Sequence, residues 1–183
     1  MIMGRADFLY SGFVSRLSFP PTSCQDSLLR KVADFVSSDE DDILVVNGYA
    51  GTGKTTAISA VISVLKEYKT RCVLLAPTGR AAKVLSSYAG QQAYTIHKHI
   101  YRQKSVGGDG FGQFTLSPNK DKETLFVVDE VSLIGIDAAQ QQSTASFGSG
   151  NLLEDLISFV RSGVECKVIL IGDSAQLPPV GLD

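Results

Sequence analysis

The sequence has 183 residues, of which 44% are hydrophobic, and its formal net charge is −2. A chain of this size can bury one sizeable core, and its length favours one domain over two. Because the charge supplies no global positive field, any nucleic-acid binding has to come from a local groove. No stretch approaches the run of about 18 apolar residues that a membrane span needs, so no membrane association is expected.

The three cysteines are Cys24, Cys72 and Cys166, widely spaced and without a C-x-x-C pair. Cys72 and Cys166 stand at the head of apolar runs, where a cysteine usually behaves as a small buried hydrophobe. The opening "MIMGRADFLYSGFVSRLSF" lacks the apolar core and cleavage site of a signal peptide. These features predict reduced thiols and a cytoplasmic protein.

The first predicted helix lies in "TSCQDSLLRKVADFV", behind the possible caps Thr22 and Ser23. Its apolar residues at helical spacing are Leu28, Leu29, Val32 and Val36. After a polar break at 37–42, the continuous apolar run "ILVVN" predicts a fully buried strand. The following "KTTAISAVISVLKEY" has a helical period, so a strand, a loop and a helix come in succession.

The alternation continues with a strand in "RCVLLA" (71–76), a helix in "GRAAKVLSSY" (79–88), and strands in "TLFVVDE" and "CKVILIG". Four such runs separated by helices predict a parallel α/β sheet with helices on both faces. Before the last strand, "NLLEDLISFVRSG" predicts a helix with Asn151 as cap, Glu154 three residues on, and Gly163 as terminator.

Two segments do not fit these layers and are predicted to lie outside the core. Residues 103–123 are rich in glycine and polar residues around a short "FTL", which indicates a β-hairpin or a mobile excursion. Residues 137–150, "DAAQQQSTASFGSG", are biased to Gln, Ser and Gly and predict a flexible loop.

The stretch "GYAGTGKT" satisfies G-x-x-x-x-G-K-[ST] between a predicted strand and a predicted helix, as a Walker A loop requires. Such a loop wraps backbone N–H groups around phosphate oxygens at a helix N-terminus. Lys54 would reach the β and γ phosphates of ATP, and the Thr55 hydroxyl would bind Mg²⁺. The alternative is an ordinary glycine turn. The expected nucleotide contacts in the loop are Gly48, Gly51, Thr52, Gly53, Lys54, Thr55 and Thr56.

A second candidate motif follows the strand in "LFVVDE". Asp129 suits the Mg²⁺ shell, and Glu130 can orient and deprotonate the attacking water. An acidic pair after a strand is common by chance, but together with the loop it indicates a Walker B site. In "LIGDSAQLPPV", Gln176 lies just beyond the last strand, at the ligand edge of an α/β sheet, where it could sense the γ phosphate. The alternative there is a surface loop with a rigid proline exit.

In that order, "GYAGTGKTT", "APTGRAAKVL", "TIHKHI", "VVDEVSLI" and "IGDSAQLPPV" resemble the successive motifs of superfamily 1 DNA helicases. The likeness is to the RecD and phage Dda branch, which moves 5′ to 3′ on single strands and includes the α subunit of exodeoxyribonuclease V. It covers roughly residues 20 to 180. It implies a RecA-like P-loop NTPase fold and an ATP-dependent motor in DNA repair and recombination.

The resemblance also implies roles for individual residues. Gln25 lies where the family has a glutamine that reads the adenine. The segment from Pro77 to Lys83 is similar to one that touches single-stranded DNA, and its best candidates are Pro77, Thr78, Gly79 and Arg80. A solvated helix face is the alternative for the charged members. Thr95 and His97 match a further DNA-side motif, with His97 either at the DNA edge or bracing the motif. No metal site is expected at His97.

The segment 103–123 falls where these helicases insert a small hairpin used as a strand-separating pin. Phe111 or Phe114 could stack there on a base, which contributes about 1 to 3 kcal/mol. Unwinding by the full protein that survived Phe111→Ala and Phe114→Ala would contradict this role.

The family closes two RecA-like domains around ATP, and arginines of the second domain stabilise the transition state. By this likeness, residues 1–20 are an N-terminal extension, 21–183 are the first RecA-like domain, and the second domain is absent. The chain ends three residues after Pro178–Val180, as an excised domain or an incomplete gene product would. The expected behaviour is weak binding of Mg-ATP, very slow hydrolysis and no unwinding.

Two other functional classes are kept as alternatives. One is a nucleotide-gated module that binds DNA or protein without productive turnover. The other is a P-loop kinase, which "GDSAQLPPV" and the lack of an arginine-rich lid disfavour. Nothing in the sequence supplies nuclease chemistry, so nuclease or repair-complex subunits are expected only as partners.

Overall fold

The computed structural model describes residues 4–48, 51–104, 112–134 and 146–173. In chain order the helices are α1 Arg5–Ser15, α2 Ser23–Ser37, α3 Lys54–Glu67, α4 Gly79–Ala89, α5 Ile96–Ile100 and α6 Leu152–Arg161, with a 3₁₀ turn at Val131–Leu133. The strands are β1 Ile43–Gly48, β2 Arg71–Ala76, β3 Ala93–Thr95, β4 Tyr101–Gln103, β5 Gln113–Leu116, β6 Thr124–Val128, β7 Ser146–Phe147 and β8 Lys167–Asp173.

The main sheet has the strand order β1-β8-β6-β2-β3, and each neighbouring pair is parallel. Its continuous apolar strands place apolar side chains on both faces of the sheet, since successive side chains point in opposite directions. In β6, Leu125 and Val127 join the core beneath α1 to α4, while Phe126 and Val128 join the core beneath α5 and α6. The predicted parallel α/β sheet, covered by helices on both faces, is confirmed.

The prediction that "ILVV" forms a fully buried strand is wrong. β1 lies at the edge of the sheet with β8 as its neighbour, and the side chain of Val45 is 56% exposed. Val46, on the opposite face, is buried against the helices. The apolar run does not reveal this, because periodicity indicates burial only when a strand has neighbours on both sides.

Helix α2 begins and ends as its sequence predicts. The hydroxyl of Thr22 accepts from the backbone N–H of Gln25, and the Gln25 side chain accepts from Thr22 N, which completes a capping box. At the other end, the ammonium of Lys167 donates to the carbonyls of Phe35 and Ser38. A cation at this position satisfies carbonyls that have no partner within the helix.

Helix α6 has the predicted cap, because Asn151 Oδ1 accepts from Glu154 N at 3.2 Å. The helix ends just before Gly163, as predicted, since the C-cap is Ser162, but Gly163 does not have the positive φ that is typical of a glycine terminator. Instead, the side chain of Asn119 donates to Phe159 O at 3.0 Å. A Cβ at Gly163 would stand 2.5 Å from Asn119 Nδ2 and 2.7 Å from Cys166 Sγ, so these two side chains leave room only for glycine.

The N-terminal segment contributes a helix to the core. Leu9 and Phe13 of α1 are buried, and α1 packs on α2 and α3. None of the described helices is long and apolar enough to cross a bilayer. Burial raises the pKa of the Cys72 thiol to about 12, and Cys166 is also buried, whereas Cys24 is exposed.

A small second sheet has the order β4-β5-β7, in which β4 and β5 are antiparallel. Of the two alternatives for 103–123, a β-hairpin or a mobile excursion, this pair favours the hairpin, although Phe114 and Leu116 pack against the core rather than outside it. The flexible-loop prediction for 137–150 is wrong at its end, because Ser146–Phe147 pairs with β5. The Phe147 ring stacks on Phe114 at a centroid distance of 4.5 Å.

A buried carboxylate joins this small sheet to α6. Asp155 is 7% exposed, and its Oδ2 accepts from Tyr101 Oη at 2.6 Å and from Ser149 N at 3.1 Å. Burial, the bond to Asp155 and the charge of Asp155 raise the pKa of Tyr101, so this hydroxyl stays a donor.

We expect Tyr101→Phe to lower the free energy of unfolding by about 1 to 3 kcal/mol, since it leaves a buried carboxylate with one fewer donor. Urea denaturation of the 183-residue chain measures this. Tyr94→Phe, which removes a hydroxyl from a half-exposed side chain, is the matched control. Equal unfolding midpoints for the two variants would mean that Asp155 does not depend on Tyr101.

Candidate functional site

The predicted site residues lie along one edge of the main sheet. Because its strands are parallel, their carboxyl ends meet there, and we call this line the carboxyl edge. In spatial order it carries Gly48 at the end of β1, Asp173 at the end of β8, Asp129 after β6, Thr78 after β2 and Thr95 at the end of β3. Asp129 and its neighbour Glu130 therefore lie between the predicted nucleotide residues and the predicted DNA residues.

The Walker A loop leads directly into α3 at the first position of this row. Gly51 and Gly53 have φ of 79° and 78°, a left-handed geometry that favours glycine. Gly53 is the N-cap of α3, so the N–H groups of the first turn point towards the loop. Thr55 and Thr56 are exposed in that turn, and Thr52 is half-buried. Residues 49–50 of the motif lie outside the described residues.

The ammonium of Lys54 spans the ends of β1 and β8. Its Nζ donates to Gly48 O at 2.6 Å and to Gly172 O at 3.2 Å. A Cβ at Gly48 would meet Lys54 Cδ at 2.9 Å, so glycine is required for the lysine to lie across the strand end. The carboxyl edge thus places a positive charge at the N-terminus of α3, where anions bind favourably.

Gln25 connects α2 to the Walker A loop. Besides its place in the capping box, its Nε2 donates to Gly53 O at 3.2 Å. The amide lies so close to Gly53 that any side chain at residue 53 would collide with it. The sequence places Gln25 near the nucleotide only through the family likeness, and the structure brings it to the loop.

A cleft of about 410 Å³ opens between α2, the exposed edge of β1 and the loop. This volume lies within the range of small-molecule sites, about 300 to 1,000 Å³. Its lining residues are Ser23, Cys24, Gln25, Ser27, Leu28, Lys31, Val45, Val46, Asn47, Gly48, Thr52 and Lys54. Sequence reasoning missed Cys24, Lys31 and Val45 as members of this site, because a helix and an edge strand share a cleft only once the fold is known.

Asp129 is held at both of its carboxylate oxygens. Oδ1 accepts from the Glu130 backbone N–H at 2.9 Å, and Oδ2 accepts from Tyr88 Oη of α4 at 2.6 Å. Since a carboxylate oxygen has two lone pairs, each can still face a cation. Oxygen donors of this kind, with the exposed Thr55 hydroxyl, fit the ligand preference of Mg²⁺. Burial and the Asp129 and Glu130 carboxylates raise the pKa of Tyr88, so its hydroxyl keeps its proton.

Glu130 adopts an uncommon backbone conformation, with φ of 54°. A residue other than glycine in this region costs about 1 to 3 kcal/mol, and such residues concentrate at functional sites. Most of the side chain is exposed, yet partial burial and the Asp129 carboxylate raise the pKa of Glu130, opposed by the Arg80 guanidinium. A carboxylate of raised basicity beside a candidate metal ligand can accept a proton from water.

The predicted DNA residues occupy the other half of the row. Pro77 is buried, Thr78 caps α4 through a bond from Ala81 N at 3.1 Å, and Gly79 and Arg80 are exposed. Arg80 is close enough to Glu130 to influence its pKa. This pair joins the two halves of the row, and the sequence gives no signal that the two residues lie close together.

Thr95 is the N-cap of α5 and accepts from Lys98 N at 3.2 Å. The His97 ring packs edge-on against Phe147 at 5.0 Å and lies 5.6 Å from the Tyr101 ring. This geometry favours the bracing role for His97. The half-buried Phe114 ring stacks on Phe147, so one of its faces packs within the small sheet. Gln176 and Phe111 lie outside the described residues.

Comparison with known proteins decides the family. The family described as "AAA domain" matches residues 25–182, nearly the whole chain. The chain belongs to this family. It is 35% identical over 138 residues to the ATP-dependent RecD2 DNA helicase of Deinococcus radiodurans, an alignment that covers 75% of the chain and 16% of that protein.

Two further relatives point to the same branch of this AAA family. The ATP-dependent DNA helicase dda of Enterobacteria phage T4 is 30% identical over 150 residues, 75% of the chain and 28% of the relative. The RecBCD enzyme subunit RecD of Haemophilus influenzae is 28% identical over 156 residues, 74% of the chain and 22% of the relative. The resemblance to superfamily 1 helicases of the RecD and Dda branch is confirmed. The chain spans only 16% to 28% of the length of these three relatives.

Proposed function

We propose that this chain is the ATP-binding motor domain of a DNA helicase. Hydrolysis of Mg-ATP would drive movement along single-stranded DNA, 5′ to 3′, and duplex unwinding by a longer protein. The observation that supports this most is the order of groups on the carboxyl edge: the Walker A lysine, then Asp129 and Glu130, then Thr78 and Arg80. A phosphate-binding end and a DNA-binding end then share the central carboxylates.

At the phosphate end, the first turn of α3 and the Lys54 ammonium bind the β and γ phosphates, while Gln25 lies beside the base in the cleft. Thr55 and Asp129 would hold Mg²⁺, which neutralises the charge that develops on the phosphoryl oxygens. Glu130 accepts the proton of the attacking water, and Gln176 contacts the γ phosphate. In this division Lys54, Glu130 and Gln176 are the catalytic residues: Glu130 is the base, Gln176 senses the γ phosphate, and Lys54 also binds the phosphates.

At the other end, the exposed Gly79 backbone and the Arg80 guanidinium suit contacts to DNA phosphates, which position a strand without reading its sequence. Thr78 and Thr95, as helix caps, place the N-termini of α4 and α5 at the same surface. We further propose that 21–183 form the first RecA-like domain of the motor, with β4 and β5 at the base of the hairpin insertion. Its partners would be nuclease or repair-complex subunits, and its free cysteines favour the cytoplasm.

The test has two arms, the first with the 183-residue chain and the second with a longer form of the protein that turns over ATP. The first measures the affinity for a fluorescent ATP analogue with Mg²⁺ and with EDTA. The second measures ATP turnover with and without a single-stranded oligonucleotide. A motor domain binds the nucleotide with Mg²⁺ and turns over faster with DNA. Binding without turnover, in longer versions of the protein as well, would favour the nucleotide-gated module. Absence of nucleotide binding would reject the proposal.

Arg80→Ala is expected to weaken binding to single-stranded DNA to a similar extent for different sequences, and to reduce the salt slope of the affinity by about 1. Fluorescence anisotropy of labelled oligonucleotides over a salt series measures both. Arg102→Ala, in the exposed part of β4, is the matched control. If both variants kept the wild-type salt slope, the DNA surface would lie elsewhere.

A further inference from the structure

Tyr88 lies where three structural elements of the site meet. It is in the last turn of α4, and its hydroxyl donates to Asp129 Oδ2 at 2.6 Å. Its backbone carbonyl accepts from Ser59 Oγ of α3 at 2.8 Å. One residue therefore connects the helix that follows the Walker A loop with the carboxylate that follows β6.

The side chain of Asp129 accepts a hydrogen bond at each of its two carboxylate oxygens. Its backbone N–H donates to Leu75 O of β2 at 3.0 Å, which holds the backbone of Asp129 against the neighbouring strand. The Glu130 N–H then holds Oδ1, but this local bond alone leaves Oδ2 free to move as the side chain rotates. The Tyr88 hydroxyl holds the other oxygen, and with both oxygens held the rotation of the carboxylate about the Cβ–Cγ bond is restricted.

We propose that Tyr88 is a positioning residue for Asp129, orienting its carboxylate for Mg²⁺ through the bond to Oδ2. This inference rests on the proposed function, because it assigns a role towards the metal of that same site. Groups that hydrogen-bond to metal ligands fix the ligand's orientation, and removing such a group typically weakens metal binding by about 10- to 100-fold. Tyr88 touches neither nucleotide nor metal in this role and acts only through Asp129.

The position of Tyr88 also connects the two ends of the carboxyl edge. Helix α4 begins at Gly79, beside the proposed DNA contacts, and reaches Tyr88 near its other end. A displacement of α4 as a rigid body would therefore move the hydroxyl that holds Asp129. The bond from Ser59 connects the same residue to α3, so such a displacement would also change a contact of the nucleotide-binding helix.

Tyr88→Phe tests the inference, because it removes the hydroxyl and keeps the half-buried ring in place. The affinity for a fluorescent ATP analogue is measured across a Mg²⁺ series and in EDTA. We expect the Mg²⁺ concentration for half-maximal effect to rise about tenfold, with the affinity in EDTA unchanged. Tyr94→Phe, on the adjacent strand β3, should match the wild type in both measurements. Structural damage would lower both affinities, so the split distinguishes positioning from packing.

Asp129→Asn provides the second half of a double-mutant cycle. If Tyr88 acts through Asp129, adding Tyr88→Phe to Asp129→Asn changes nothing further. A Tyr88→Phe variant with the wild-type Mg²⁺ dependence, or one whose effect persists unchanged beside Asp129→Asn, would overturn the inference alone. A wild-type chain whose nucleotide binding does not respond to Mg²⁺ would overturn the proposed function, and this inference with it.

Discussion

Lys54→Met is expected to weaken the binding of Mg-ATP by about 10- to 100-fold. The ammonium donates to Gly48 O and Gly172 O beside the N-terminus of α3, and hydrogen bonds to charged groups contribute about 1.5 to 3 kcal/mol. Methionine keeps an apolar stem beside Gly48, so the change removes the charge and largely preserves the packing. Titration of a fluorescent ATP analogue in the presence of Mg²⁺ measures the loss.

Lys66→Ala is the matched control, since Lys66 is an exposed lysine in the last turn of the same helix. It should bind Mg-ATP as the wild type does. Thermal unfolding without nucleotide shows whether either variant is damaged. If Lys54→Met and Lys66→Ala bound equally well, the loop after β1 would be an ordinary glycine turn and the nucleotide site would have to be sought elsewhere.

Glu130→Gln is expected to lower the rate of ATP hydrolysis by about 10² to 10⁴ while leaving the affinity for Mg-ATP unchanged. Glutamine has nearly the same shape as glutamate, so the left-handed backbone conformation should be equally strained in the variant. Glutamine cannot, however, accept the proton of the attacking water. Single-turnover hydrolysis with bound nucleotide, measured in a form of the protein that turns over, separates this effect from binding.

The chain offers an unusually close control for this variant. Glu123 also has a positive φ, 47°, and immediately precedes β6, whereas Glu130 follows it. Glu123→Gln therefore makes the same chemical change at the same kind of backbone position, at the amino end of the strand. Equal hydrolysis rates in the two variants would exclude Glu130 as the catalytic base.

Local patterns in the sequence were sufficient for most of the main fold. Apolar runs identify β2, β6 and β8 because these strands are buried on both faces, and cap chemistry identifies α2 and α6 to within a residue or two. The edge position of β1 and the pairing of Ser146–Phe147 with β5 depend on which strands become neighbours. The tertiary fold decides these neighbours, so the sequence predicts neither the exposure of Val45 nor the strand that contains Phe147.

The candidate site divides in the same way. The Walker A loop and Asp129–Glu130 are visible because their spacing is local and chemically restrictive. The partners that orient these residues are not, since Tyr88 and Asp129 are separated by 41 positions and Gln25 and Gly53 by 28. A tyrosine near the end of an amphipathic helix has no pattern that distinguishes an orienting hydroxyl from ordinary packing.

The two side-chain hydrogen bonds of Gln25 restrict which residue types can stand at that position, independently of any contact with a nucleotide base. Its oxygen completes the cap of α2, and its nitrogen donates to the carbonyl of Gly53. Glutamate would keep the acceptor and lose the donor, lysine would do the reverse, and asparagine would lack the reach. Glutamine alone among these side chains satisfies both demands, so the start of a helix and the shape of a phosphate loop are decided by a single amide.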